Sequence, residues 1–258
     1  MTVKEVAEPE DDFEIDGLEI DEKFLEYDLN EWDDYAVEEA VQLKEENDDV
    51  DEVVAVTIGP ERSEETIRMA LAKGADRAVR VWDDAFEAGE VLDPNAKARV
   101  LAAVAEEEDP GLVFTGVQAD DDSIGGTGVA LADEIGFQWA AVVNAFEYDN
   151  GTARVNRELE GGVEEVTEVE TPAVFTIQTG INEPRYASLR GIRQAQSKEI
   201  APKTLDDLGL DDSAIETPIQ ITEMYEPETE ADTEYIEGSA EEMAGEVAEL
   251  IRSKGVAE

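Results

Sequence analysis

VVAVTIGPERSEETIRMALAKGADRAVRVW, residues 53–82, decides the fold. It opens on an unbroken apolar run, VVAVTIG, with the length and composition of a strand buried on both faces. Gly59-Pro60 breaks that run. Ser63 then opens a helical pattern carrying Ile67, Met69, Ala70 and Leu71, and Gly74 stands where a helix C-cap is wanted. RAVRVW, residues 77–82, is the next strand. Two strands joined through one helix make a parallel β-α-β unit.

The same rhythm extends both ways. Downstream, Asp93 caps a helix with Pro94 in its first turn and Val100, Leu101 and Val104 inside it. LVFTG, residues 112–116, is a strand, and a helix is expected from Ile124 to Ile135. Upstream, VKEVA, residues 3–7, reads as the end of a strand. Asn30 is placed to cap a helix running to about Glu46, with Ala36, Val37, Ala40 and Val41 at helical spacing. The alternation predicts an α/β fold with a doubly wound, mostly parallel sheet. After residue 139 the pattern changes. AAVVNAFEY, TARVNREL, GGVEEVTEV and PAVFTIQ, with a turn at Asp149-Asn150-Gly151, read as successive strands of a β meander continuing the sheet. From Asp206 the chain is acidic and irregular, with Pro218 and Pro227, and reads as a C-terminal arm ending in a helix. Ser239 and Glu242 have capping-box spacing, Met243, Val247, Leu250 and Ile251 form one apolar stripe, and Gly255 follows. That helix packs either on its own domain or on a partner subunit.

Composition narrows the chemistry. The 258 residues hold 68 Asp+Glu against 19 Lys+Arg, a net charge of -49, with 41% hydrophobic residues. That apolar content is too high for a disordered acidic tail. A folded surface this acidic repels itself in dilute buffer, whereas molar salt cuts the screening length to about 3 Å. The expectation is a soluble cytoplasmic protein in a high-salt, halophilic cytosol. Nucleic acid and anionic membrane surfaces are poor partners for such a field. No apolar run approaches the length of a bilayer span, so no direct membrane insertion is expected. With no Cys and no His, disulfides, thiolate nucleophiles, Cys/His zinc sites and Ser-His-Asp triads are excluded together. Carboxylate-based metal chemistry, or binding without catalysis, is what remains.

Ligands of an open parallel sheet bind beyond the carboxyl ends of its strands. Three segments fall there: Thr57-Ile58-Gly59, the helix start at Asn30, and Gly116-Val117-Gln118 running through Ala119-Asp120-Asp121-Asp122-Ser123 into Ile124-Gly125-Gly126-Thr127. Gly116, Gly125 and Gly126 permit close backbone approach, and a helix start offers free N–H groups to a nucleotide phosphate. The loop is neither GxxxxGK[ST] nor a clean GxGxxG. The three adjacent aspartates are suited to Mg²⁺ by chemistry alone, but without EF-hand spacing a solvated turn or helix cap is the stronger reading. One further stretch breaks the charge rule. INEPRYASLRGIRQAQSK, residues 181–198, carries Arg185, Arg190, Arg193 and Lys198 against a single acid, Glu183, with Tyr186 and Leu189 among them. It suits an acidic, partly apolar partner, unless its cations pair internally.

NEWDDYAVEEAVQLKE, VTIGPERSEETIRMALAKGADRA, LVFTGVQADDDSIGGTG and INEPRYASLRGIRQA, in that order and spacing, resemble the β subunit of electron-transfer flavoprotein. RVNRELEGGVEE followed by TPAVFT resembles that family's signature region. The resemblance runs from about Thr2 to Leu210. It implies a fold of the adenine-nucleotide-binding type and a heterodimer with an α subunit that holds the main FAD. It also implies AMP, or a second FAD as in electron-bifurcating members, in this subunit. Asp33 resembles bifurcating members, whereas residues 120–126 lack their Asp-Gly-Asp-Thr run, so both nucleotides stay open. The nucleotide positions carry over as Thr2, Asn30, Glu31, Trp32, Asp33, Ile58, Gly116, Val117, Gln118, Ala119, Asp120, Asp121, Asp122, Ser123, Ile124, Gly125, Gly126 and Thr127. The basic stretch becomes part of a partner-recognition loop, roughly Ile177 to Glu199, with Leu189 as anchor and Arg185, Tyr186, Arg190 and Arg193 beside it. Acyl-CoA-type dehydrogenases as donors and a membrane quinone oxidoreductase as acceptor are the partners implied. Such a chain is an electron carrier and not an enzyme. The alternatives are a nucleotide-hydrolysing or ATP-pyrophosphatase-like enzyme, for which no SGGxDS-type phosphate loop is present, and a stand-alone adenine-nucleotide-binding stress protein. Two parts are expected: residues 1–205 with the nucleotide fold, meander and recognition loop, and residues 206–258 with the arm and its helix.

Overall fold

The computed structural model describes residues 1–88, 91–227 and 235–254. Its strands are β1 (Glu5–Pro9), β2 (Ile15–Asp16), β3 (Glu19–Ile20), β4 (Leu25–Leu29), β5 (Val54–Ile58), β6 (Arg77–Val81), β7 (Leu112–Gly116), β8 (Gln138–Asp149), β9 (Thr152–Leu159), β10 (Val163–Glu170), β11 (Ala173–Ile177) and β12 (Ile200–Lys203). Its helices are α1 (Glu31–Glu46), α2 (Glu64–Lys73), α3 (Pro94–Glu108), α4 (Thr127–Ile135), α5 (Leu189–Ala195) and α6 (Ala240–Ser253). The chain divides into two units, Met1–Met224 and Tyr225–Glu258.

In the first unit β12-β6-β5 and β10-β9-β8-β11-β7 form two ladders. Residues 1–3 join them. The Thr2 N–H donates to the Phe114 carbonyl of β7, while Val3 donates to Val56 of β5 and Val56 donates back to Met1. The expected strand over residues 3–7 is therefore split. Residues 1–3 lie in the parallel sheet, and Glu5–Pro9 turns away to pair antiparallel with β4. The mostly parallel α/β architecture matches the alternation read from the sequence.

Local signals explain most element ends. The Asp93 carboxylate accepts from Ala96 N at 2.7 Å with Pro94 in the first turn, and Gly74 ends α2. Asn150 and Gly151, both at positive φ, close the β8–β9 hairpin. On α2 the buried residues are Thr66, Ile67, Ala70 and Leu71, while Met69 faces outward, 40% exposed. Two expectations need correction. PAVFTIQ is not the last strand of the meander: β11 lies between β7 and β8, parallel to both. All five of its residues are buried, which is what a strand covered on both faces requires. Only β8, β9 and β10 form the antiparallel meander. The helix expected from Ile124 starts at Thr127, because Ser123, Gly125 and Gly126 all hold positive φ and an α-helix cannot contain them. The sequence pattern does not predict β12. That strand is short, carries Pro202 and, among the described residues, pairs only with β6, the edge position at which proline is tolerated.

The core of this unit gathers around Phe114, Phe146 and Phe175, whose ring centroids lie 5.1–5.9 Å apart. Ala36, Val37, Ala40 and Val41 of α1 pack into the same cluster. In the second unit, Ser239 and the Glu242 side chain form the expected capping box of α6, and no residue of α6 is buried. Gly255 lies outside the described residues.

Candidate functional site

β7 and β11 are parallel neighbours, so the chain leaves both at the same end of the sheet. The loop after β7 builds one candidate site and the loop after β11 the other. In the first, Asn30 holds the N-cap position of α1, yet its side chain caps nothing. It reaches across to the loop: Nδ2 donates to Gln118 O at 2.8 Å and Oδ1 accepts from Asp120 N at 3.1 Å. Asp120 supplies the missing cap by accepting from the Glu31 amide at 3.1 Å. The Asp33 carboxylate accepts from Gly116 N at 2.9 Å and Lys4 N at 2.8 Å. A Cβ on Gly116 would come within 2.6 Å of Trp32 and 2.7 Å of Asp33. Its small size thus lets α1 close onto β7, and no ligand is needed to explain it. Asp33 is buried, and burial pushes its carboxyl up to about 6 despite those hydrogen bonds.

The rest of the aspartate run meets two lysines. Lys4 pairs with Asp121 and lies 3.0 Å from Asp122 Oδ2, and Lys97 of α3 lies 2.7 Å from that same oxygen. Burial by itself would raise the Asp122 carboxyl, but the Lys97 hydrogen bond and the Lys4 charge outweigh it and hold it at about 2. With its carboxylates paired or capping, the run is a structured turn. Among the described residues no group of carboxylates is arranged to hold a metal ion.

These elements enclose a cavity of about 420 Å³. Of the positions expected from the sequence, Thr2, Asn30, Asp33, Ile58, Gly116, Val117, Gln118, Ala119, Asp121, Asp122, Gly125 and Thr127 line it. Glu31, Trp32, Asp120, Ser123, Ile124 and Gly126 do not. Trp32 instead donates through Nε1 to Gln178 at 3.0 Å, while Glu31 and Asp120 border a separate groove with Tyr186 and Ile192. The sequence reading missed Val3, Lys4, Val56, Val91, Leu92, Lys97, Leu101 and Thr115. Val56 and Thr115 share a strand with residues already chosen, which is a usable signal. Lys97, one turn beyond the Asp93-Pro94 cap, was legible only as a rare cation.

The second loop is anchored at both ends. Arg185 donates to Glu38 and Glu45 of α1 over 2.7–3.0 Å. Burial alone would lift the Glu38 carboxyl, yet the bonds from Arg185 hold it below the usual carboxylate range. Lys198 donates to the carbonyls of Leu71 and Ala75 at the end of α2, where a cation offsets the helix dipole. Arg68 of α2 binds the Ala195 and Lys198 carbonyls at 2.6 and 2.8 Å, and Gly191 packs so close that a Cβ would sit 2.3 Å from Ala72 O. Between the anchors, Tyr186 is 98% and Leu189 79% exposed. Arg190 and Arg193 are exposed as well. Two of the four cations of the basic stretch are thus engaged internally and two face outward.

The family model described as Electron transfer flavoprotein domain matches residues 17–208. The electron transfer flavoprotein subunit beta of Methylophilus methylotrophus is 46% identical over 97% of this chain and 96% of its own length. The Bacillus subtilis subunit beta is 32% identical over 98% and 97%, and the Mus musculus subunit beta 38% identical over 79% and 77%. The chain therefore belongs to the electron transfer flavoprotein family, as a β subunit.

Proposed function

We propose that this chain pairs with an α subunit to form a heterodimeric electron carrier, holds an adenine nucleotide in the cavity beside β7, and presents Leu189 to partner enzymes. The observation that carries the reading is the convergence at that cavity of residues from four separate segments: Thr2, Asn30 and Asp33, Ile58, and the 116–127 loop. Apolar side chains of Val56, Ile58, Leu92 and Leu101 offer walls for a planar base, and Asn30, Lys4, Lys97 and Thr127 offer polar groups for sugar and phosphate. These residues fit AMP or the adenylate half of a second FAD. Flavin, held mainly by the α subunit, supplies the electron-accepting chemistry. This chain's own residues bind, orient and keep water out; none of them makes or breaks a bond.

Acyl-CoA-type dehydrogenases are the donors in this reading, and a membrane quinone oxidoreductase the acceptor. Exposed Leu189 suits the first role: a leucine held out on a short anchored helix can enter an apolar pocket with little further ordering. Residues 1–205 supply nucleotide and docking sites, and residues 206–258 reach the α subunit through the apolar stripe of α6. The acidic surface suits a high-salt cytosol. Among the described residues no helix is long and apolar enough to cross a membrane.

The test is to co-purify the chain with its α subunit in molar KCl and count released flavin and AMP per heterodimer. One FAD with one AMP is expected of a simple carrier, and two FAD of a bifurcating one. A heterodimer without flavin overturns the reading.

A further inference from the structure

Two of the lysines in this acid-rich chain line the nucleotide cavity, and they come from different elements. Lys4 follows residues 1–3, which bridge the two ladders, and Lys97 lies in the first turns of α3. Both ammonium groups converge on one oxygen, Asp122 Oδ2, at 3.0 and 2.7 Å. The meeting point is sheltered, with the Lys97 and Asp122 side chains each 18% exposed. An oxygen that takes hydrogen bonds from two ammonium groups at a cavity wall is in the position of a phosphate oxygen.

We infer that Lys4 and Lys97 form the phosphate subsite of this cavity and that Asp122 is its resident counter-anion, which the ligand's phosphate displaces from Lys97. The inference rests on the nucleotide reading above and adds which residues recognise the charged end. The charge count favours the displacement. Lys4 and Lys97 are matched by Asp121 and Asp122, so a phosphate dianion entering beside them would set four negative charges on two cations. In a sheltered site that repulsion is poorly screened. Moving Asp122 off Lys97 leaves three negative charges on the two cations in place of four and gives the phosphate a charge-assisted bond. The site therefore selects a phosphorylated nucleoside over the bare nucleoside. The phosphate is either the monoester of a mononucleotide or the pyrophosphate of a dinucleotide.

The experiment is equilibrium dialysis of adenosine, AMP and FAD against the heterodimer purified with the α subunit and freed of bound nucleotide. Wild type is compared with Lys97→Gln, Lys97→Arg and Asp122→Asn. Binding to the partner subunit is common to all four and cancels in the comparison. Lys97→Gln is expected to weaken the phosphorylated ligand about tenfold, the worth of one charge-assisted hydrogen bond. Lys97→Arg should restore most of that loss. Asp122→Asn still offers an oxygen to the Ile124 amide, 3.1 Å away, and should tighten the phosphorylated ligand severalfold. Adenosine affinity should not move in any variant. Whichever of AMP and FAD shows this pattern is the source of the phosphate. Binding of AMP and FAD that ignores both Lys97→Gln and Asp122→Asn overturns this inference alone. Failure of all three compounds to bind wild type overturns the nucleotide reading, and the inference with it.

Discussion

The loops after β7 and β11 leave neighbouring strands at one end of the sheet, and they use charge in opposite ways. Around the first loop the cations are enclosed: Lys4 and Lys97 are matched by aspartates beside a cavity. The second spends its cations at the edges. Arg185 and Lys198 fasten the ends to α1 and α2, and the stretch between them is left outside with Tyr186, Leu189, Arg190 and Arg193. A count of basic residues would rank the second loop as the charged site. The structure makes it a mounted apolar tip with two exposed arginines, and makes the acid-rich loop the place where paired charge meets a cavity.

The largest test of this contrast removes an anchor. Glu38 is 5% exposed as a side chain and Arg185 31%, so truncating the arginine strands a nearly buried carboxylate. Arg185→Ala is expected to cost about 3 kcal/mol of unfolding free energy, measured by denaturant titration of the heterodimer. A change below about 0.5 kcal/mol, the usual range for surface substitutions, would show that Arg185 is no anchor.

The second test addresses the enclosed loop through pH. Asp33 ties α1 to β7, and its carboxyl is raised by burial from 3.8 to about 6. Between those values the folded state binds more protons than the unfolded one, so stability falls as pH rises through the window. The Asp33 contribution is fully present below about pH 4 and lost above about pH 6. Asp33→Asn removes the titration and adds a pH-independent offset. The stability of wild type relative to Asp33→Asn should thus decline by on the order of 2 kcal/mol from pH 4 to pH 6.5 and then stay level. A flat difference would mean that Asp33 does not titrate in that range.

How far the sequence could be read follows the range of the interaction concerned. The Asp93-Pro94 cap, the C-cap at Gly74 and the Asn150-Gly151 hairpin are settled within a few residues, and each stands where its residues predict. Asn30 has the chemistry of a cap, but its side chain is claimed by Gln118 and Asp120, which are distant in sequence. The place of β11 between β7 and β8 depends on pairing partners, and a short apolar run does not name its neighbours. The site divides the same way. Strand-end logic found Asn30, Ile58 and Gly116 without any partner being known, whereas Thr2 came only from the family resemblance. Lys4 and Lys97 acquire meaning only once the fold sets them on one carboxylate oxygen. The pairing of Arg185 with Glu38, 147 residues away in the chain, is equally invisible in a sequence where acids are everywhere.

The smallest expected effects decide whether the exposed loop works by shape or by field. Leu189 is 79% exposed and opens α5, so Leu189→Ala should leave the unfolding midpoint unchanged. If the leucine is the anchor, electron transfer from a reduced acyl-CoA-type dehydrogenase should slow roughly tenfold at sub-saturating carrier. Arg190 and Arg193 flank it in the open. In near-molar salt the screening length is about 3 Å, so their attraction survives only at contact. Replacing both with Gln should change the rate less than about threefold there, and the loss should grow as salt is lowered toward 0.1 M, where the screening length is about 10 Å. A double Arg→Gln effect in molar salt larger than that of Leu189→Ala would reverse the assignment, making the loop's recognition ionic and its leucine incidental.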